Sequence, residues 1–179
     1  MLLIGDTETT GLIANRLIPA SRQPEIIELY LALVDLDGDE PVVLEELDMM
    51  IRPTKPIPPF ITKITRISDM MVADAETFSQ VADTVAAFLA KAKTLIFHNA
   101  TFDAEMLEIE FDRLGRPGVV DHELVCTVEN SVHYRGRRLS LGILHEHLFG
   151  EKFKGAHRAK TDVAALIRCA HAMKQKGDL

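Results

Sequence analysis

Three β-rich runs fill the first third of the chain, and helical and strand-like segments alternate after them. Residues 2–7 are apolar until they meet Asp6, and Thr9-Thr10-Gly11 ends the run in a turn. Residues 26–34 and 42–51 form the other two runs, separated by the hairpin-like Asp35-Leu36-Asp37-Gly38-Asp39-Glu40-Pro41. An antiparallel meander is expected there. Pro53, Pro56, Pro58 and Pro59 make the next stretch an extended connector that cannot be helix interior. Phe78, Val81, Ala82, Val85, Phe88 and Leu89 then repeat at helical spacing and predict a helix over 77–92. A short apolar strand, Thr94–Phe97, ends at His98-Asn99. The next helix runs through Phe102, Met106, Leu107, Phe111 and Leu114, closed by Gly115 with Pro117 beyond. A strand over 124–128 follows, then a helix from an N-capping Ser140 to Leu148 stopped by Gly150, and a last helix over 161–173. This order fits a mixed α/β sheet with helices packed on it.

At 179 residues a single domain over 1–179 is expected, large enough to bury a core without disulfides or structural metal. An apolar fraction of 47% with 26% charged residues excludes a disordered chain, and no stretch reaches the ~18 apolar residues of a membrane span. Met1-Leu2-Leu3-Ile4 lacks a basic n-region and reads as no signal peptide. Cys126 and Cys169 form no CxxC pair, so a disulfide framework is not expected and a reducing cytoplasm is. The net charge of −7 argues against nucleic acid until its distribution is considered. Residues 135–160 hold Arg135, Arg137, Arg138, Lys152, Lys154, Arg158 and Lys160 against Glu146 and Glu151. Such a local basic surface can hold a phosphate backbone, although charge alone favours a solvated face.

Acidic side chains rarely end buried strands unless they are paired or bind metal. Asp6 and Glu8 lie two apart, so the period of a strand points both carboxylates to one side. Their repulsion is relieved by a divalent cation. Asp103 falls in the first turn of a helix after a buried strand, where an acid also suits the helix dipole. His157 and Asp162 are five apart, about 140° on a helix, and share a face only if His157 sits on a preceding loop loosened by Gly155. Each cluster alone has a bland explanation.

Together, Asp6-x-Glu8-Thr9-Thr10-Gly11, His98-Asn99-Ala100-x-Phe102-Asp103 and His157-Arg158-Ala159-x-x-Asp162, in that order, resemble the DEDDh 3′→5′ exonuclease family. That group includes the proofreading subunit of bacterial replicative DNA polymerase. The segment Ile67-Ser68-Asp69-Met70-Met71-Val72-Ala73-Asp74 is similar to its exonuclease X-type members. The resemblance implies a ribonuclease H-like sheet, three antiparallel strands then parallel ones, with helices on both faces. It further implies two Mg²⁺ or Mn²⁺ ions per site, a choice that suits carboxylate oxygens. Asp6 would bridge both ions, Glu8 and Asp162 would complete one site, and Asp103 would hold the other. His157 would be the general base, a role that an ordinary histidine pKa near 6.5 suits. Thr9 would lie beside the terminal nucleotide and Phe102 would stack on a base.

The implied activity is hydrolysis of single-stranded DNA from its 3′ end to nucleoside 5′-monophosphates. An RNA-trimming member and a non-catalytic polymerase-accessory module are the alternatives. Thr9-Thr10 favours the DNA-acting branch, and the complete acidic set weighs against a dead enzyme. The chain departs from the family at Thr65-Arg66, where many members carry a phosphate-holding histidine, so either Arg66 takes that contact or the substrate preference differs. Residues 13–24 also form a longer loop than usual. Arg137 and Arg138 are expected to grip upstream phosphates. His98, His122, His133, His145, His147 and His171 are read as structural or surface residues. Seventeen residues follow Asp162, so a stand-alone enzyme is expected, with a DNA polymerase or repair assembly as the alternative partner.

Overall fold

The computed structural model describes residues 1–15, 17–119 and 121–179; Arg16, within the 13–24 loop, and Val120 lie outside the described residues. Strands β1 (Leu2–Thr9), β2 (Ile26–Asp35), β3 (Val42–Met50), β4 (Thr94–Phe97) and β5 (Glu123–Cys126) form one sheet in the order β3-β2-β1-β4-β5. The first three pair antiparallel, whereas β1–β4 and β4–β5 are parallel. The expected meander and the mixed sheet are both present. Strand β2 is buried at nine of its ten positions because it lies between two strands and under helices on both sides.

Alternation along β1 sorts the core into two layers. Leu3 joins Leu29, Leu31 and Phe97 beneath α3 (Phe78–Leu89) and α4 (Ala100–Asp112). Ile4 joins Tyr30, Ala32, Val34 and Ile96 beneath α8 (Ala159–Lys176). Against α8 packs α7 (Leu141–Phe149), through Leu139, Leu144, Cys169 and Met173. Gly5 is where the sheet tolerates no side chain: a Cβ there would stand 2.6 Å from Leu31 and 2.7 Å from Phe97. Its absence lets β1 lie close to its neighbours immediately before Asp6.

Several boundaries differ from the sequence reading. Strand β1 runs on to Thr9, because its antiparallel pairing with β2 continues through Glu8↔Glu28 to a bulge. The proline-rich stretch is not extended throughout: α1 (Pro59–Thr65) and α2 (Asp69–Val72) form within it. Pro59 occupies the first helical position, where its missing N–H is no loss, and Ile61 and Val72 pack with Ile27. After Cys126 the chain turns helical as α5 (Thr127–Asn130) and α6 (Val132–Arg135), where the sequence predicts strand to 128. There the Thr127 hydroxyl and His98 Nδ1 lie 2.9 Å apart, and Val128 is buried from a helix rather than from the sheet. Helix α8 starts at Ala159, earlier than the expected 161, because Glu28 accepts a hydrogen bond from the Ala159 N–H at 2.9 Å. Both cysteines are free. No helix among the described residues is long and apolar enough to cross a membrane.

Candidate active site

The carboxyl ends of β1 and β4 and the starts of α4 and α8 bring the four motif acids together. Asp6 and Glu8 project to the α8 face of β1, as the two-residue period requires. Asp103 enters from the first turn of α4 and is almost wholly buried. Its Oδ1 accepts both the Thr7 N–H at 3.0 Å and the Thr7 hydroxyl at 2.8 Å. Asp162 stands in the first turn of α8, and its Oδ2 accepts the His157 N–H at 2.9 Å. His157 lies on the preceding loop with φ +69°, after Gly155 at φ +85°. The loop placement needed for these two residues to face each other is therefore present. One ligand atom from each of Glu8, His157 and Asp162 lies within 4.8 Å of the other two.

Burial and mutual repulsion hold these acids toward their protonated forms. Burial raises Asp6 well above the usual carboxylate range, and the charges of Asp103, Asp162, Glu8 and Glu28 push it further. Glu8 is raised to about 8 by burial, then by Asp162 and Glu28, with Arg158 opposing. Burial lifts Asp103 to about 7 against the two Thr7 hydrogen bonds. Asp162 is raised by burial, moderated by the bond from His157. A second observation is independent of charge: Asp162 Oδ1 is buried and has no hydrogen-bond partner among the described residues. An orphaned carboxylate oxygen beside two further acids and an imidazole fits a hard divalent cation.

A stability prediction follows from the direction of these shifts. A carboxyl whose folded pKa exceeds its unfolded value binds more protons folded than unfolded, so its contribution is lost as pH rises. Burial lowers His98 to about 4, which acts with the opposite sign only below its ordinary value near 6.5. The metal-free protein should therefore lose thermal stability steadily between pH 6.5 and about 8, through Asp103 and Glu8. Calorimetric melts in EDTA check this; a level or rising midpoint over that window contradicts the placement of the acids.

A cleft of about 460 Å³ opens on the cluster, lined by Asp6, His98, His157 and Asp162 together with Leu141 and Phe153. A second, of about 450 Å³, is lined by Leu12, Ile13, Asn99, Phe102 and Arg138 among others. A larger hollow along α4 contains none of the motif acids. Thr9 is buried at the end of β1, its hydroxyl donating to Gly11 O at 2.7 Å. Phe102 is half-buried at the mouth of the second cleft. Arg138 reaches the same place, donating to Asn99 Oδ1 at 2.8 Å and pairing with Glu129 at 2.8 Å, and Arg137 beside it is exposed. Arg66 is not brought to the acids by any hydrogen bond or ion pair among the described residues. It ends α1 in the left-handed region, φ +64°, with an exposed side chain.

The basic stretch is less free than its composition suggests. Arg158 is engaged by Glu28, and Lys160 lies within 3.5 Å of both Glu46 and Asp48. His98 is structural: Nε2 donates to Leu139 O at 3.1 Å and Nδ1 lies 2.9 Å from the Thr127 hydroxyl. His145 is buried, with Nδ1 2.8 Å from Glu151 O. Two residues escape the sequence reading, Thr7 and Glu28. Glu28 carried a visible signal, a lone acid inside the apolar run 26–34, the same anomaly that marks Asp6. Thr7 carried none, since a threonine in a strand is unremarkable.

Known proteins share both sequence and fold with this chain. The family profile described as Exonuclease (RNase_T) matches residues 3–170. The DNA polymerase III subunit epsilon of Treponema pallidum is 30% identical over 186 residues, covering 96% of this chain and 78% of that protein. A PolC-type DNA polymerase III from Caldanaerobacter subterraneus is 31% identical over 176 residues, and this stretch is 12% of its length. Exonuclease X, solved with 5′-overhanging duplex DNA, superposes with a TM-score of 0.71 at 26% identity, covering 99% of this chain and 93% of that one. The nuclease domain of 3′hExo, a DEDDh family member, shares the fold at a TM-score of 0.78 and 20% identity, covering 98% and 92%. With the family profile matched over residues 3–170 and a relative 30% identical across almost the whole chain, the chain belongs to the RNase_T exonuclease family.

Proposed function

We propose that the protein is a metal-dependent exonuclease that removes nucleotides from the 3′ end of single-stranded DNA. The observation that carries this reading is the orphaned Asp162 Oδ1, buried beside Glu8 and His157 at the floor of an open cleft. Asp6, Glu8, Asp103 and Asp162 would hold two Mg²⁺ or Mn²⁺ ions, which when bound supply charge neutralisation on the phosphoryl oxygens and acidify water. Thr7 fixes the Oδ1 of Asp103 through two hydrogen bonds. His157, exposed at the cleft, takes the proton of the attacking water. The water oxygen bonds to phosphorus as the bond to the penultimate 3′ oxygen breaks. A nucleoside 5′-monophosphate leaves, and the departing 3′ oxygen takes a proton from water, so the shortened strand keeps a 3′ hydroxyl.

In this reading Phe102, lining the second cleft, stacks on the terminal base, since an aromatic face accepts any base, and Thr9 at the end of β1 lies beside that nucleotide. The preference for DNA is supported by the relatives named as DNA polymerase III subunits and by the DNA-bound exonuclease X. A replicative polymerase or repair assembly is the partner class that fits those relatives. The deciding experiment uses 5′-labelled single-stranded DNA and RNA of one sequence, with Mg²⁺, with Mn²⁺ and with EDTA. DNA should shorten from its 3′ end with release of mononucleotide in either metal. RNA shortening at an equal or higher rate would assign the enzyme to RNA trimming, and full activity in EDTA would remove the metal reading.

Arg137 and Arg138 supply the phosphate track in this reading, since Arg138 already lines the cleft beside Phe102. Changing both to Ala should weaken binding of long strands and leave dinucleotide-sized substrates nearly unaffected. Each lost contact should flatten the slope of log affinity against log salt by about 0.7. Filter binding at several salt concentrations measures it; an unchanged slope at every strand length makes this a solvated face.

A further inference from the structure

His157 holds a left-handed backbone that residues with a side chain keep only when their surroundings impose it. Beyond the bond from its N–H to Asp162 Oδ2, its own loop supplies little restraint, since residues 154–157 are exposed. Further restraint comes from the next two residues. Arg158 forks onto Glu28, with Nε at 3.0 and 3.2 Å from the two carboxylate oxygens and Nη2 at 2.7 Å from Oε1. The Ala159 N–H adds a fourth bond to Glu28 Oε2 at 2.9 Å. Glu28 is buried in β2, and the register of the sheet places it directly opposite Glu8. Like charges facing each other across strands repel, so the guanidinium is drawn to this point as their counter-charge.

We propose that Glu28 and Arg158 form a latch that fixes the His157 loop on the sheet and so aligns the imidazole with the attacking water. Both are positioning residues. The proposal rests on the base role given to His157 above, and its consequence for the loop stands apart from that role. A lysine cannot replace the planar fork, and a glutamine at 28 keeps the shape while losing the charge.

The test uses the full chain with Glu28→Gln, Arg158→Lys and His157→Ala, and the double variant Glu28→Gln/His157→Ala, each confirmed folded by its melt. Amide exchange over residues 156–162 should quicken roughly tenfold or more in Glu28→Gln, with β4 unchanged. On single-stranded DNA, kcat should fall by roughly 10–10²-fold with KM within about twofold, and Arg158→Lys should lose less. In the His157→Ala background, Glu28→Gln should cost less than about threefold more, because the two act as one unit. Unchanged exchange over 156–162 in folded Glu28→Gln overturns the latch. Losses that multiply in the double variant overturn action through His157. Wild-type turnover of His157→Ala alone would instead strike the base reading, while the exchange measurement still decides the latch. Should Glu28→Gln fail to fold, Arg158→Lys carries the exchange and kcat readouts.

Discussion

Asp6→Ala should slow hydrolysis of single-stranded DNA at least about 10³-fold while its metal-free form melts no lower than the unchanged chain. The rate effect follows from the several kcal/mol of charge stabilisation that bound metal supplies, each 1.36 kcal/mol being tenfold. The stability effect has the opposite sign because Asp6 is a buried acid pressed by Asp103, Asp162, Glu8 and Glu28. Removing it relieves repulsion in the folded state, and each kcal/mol gained raises the melting midpoint by about 2–4 °C at this size. The advantage should grow with pH between 6.5 and 8, as Asp103 and Glu8 ionise. Initial rates with Mg²⁺ and melts in EDTA give both numbers. A variant that keeps its activity, or that is destabilised without metal, contradicts the assignment of Asp6.

The second large effect is expected at His157. His157→Ala should lower kcat by roughly 10²–10⁴-fold with strand affinity nearly unchanged, the signature of a group that acts in proton transfer. Its exposed ring leaves the packing of the core untouched, so the melting midpoint should move little. Single-turnover kinetics separate the chemical step from binding. A variant with wild-type turnover at neutral pH moves the base role to another group.

These two residues were legible in the sequence for different reasons. Asp6 draws attention because a carboxylate ending Leu2-Leu3-Ile4-Gly5 is unusual in a buried strand, and it stands out from a turn cap once the three motifs are read together. His157 is legible only through its spacing to Asp162 and the order of the three motifs. The elements around them were readable where periodicity was strong, as in α3, α4 and α7. Boundaries failed where tertiary contacts override local pattern: β1 extended by its pairing to β2, and the strand after Leu124 cut short at Thr127. The proline-rich connector hid α1, because Pro59 reads as a breaker but starts a helix that packs on Ile27.

The charge of residues 135–160 shows the same limit. Its composition gives an excess of positive side chains, yet whether a cation is free depends on what a distant strand places beside it. Arg158 and Lys160 meet Glu28, Glu46 and Asp48, more than 110 residues away in sequence, whereas Arg137 stays exposed.

The sequence by itself determined the class of fold and singled out the four acids and the histidine as candidates, because alternation, helical spacing and motif order are readable along the chain. Only the tertiary structure decided that Thr7 holds Asp103, that one oxygen of Asp162 is left without a partner, and that Glu28 grips the loop of His157. Those are contacts between residues far apart in sequence. Their geometry is set by strand register and by helices packing on opposite faces of one sheet, which no single segment encodes.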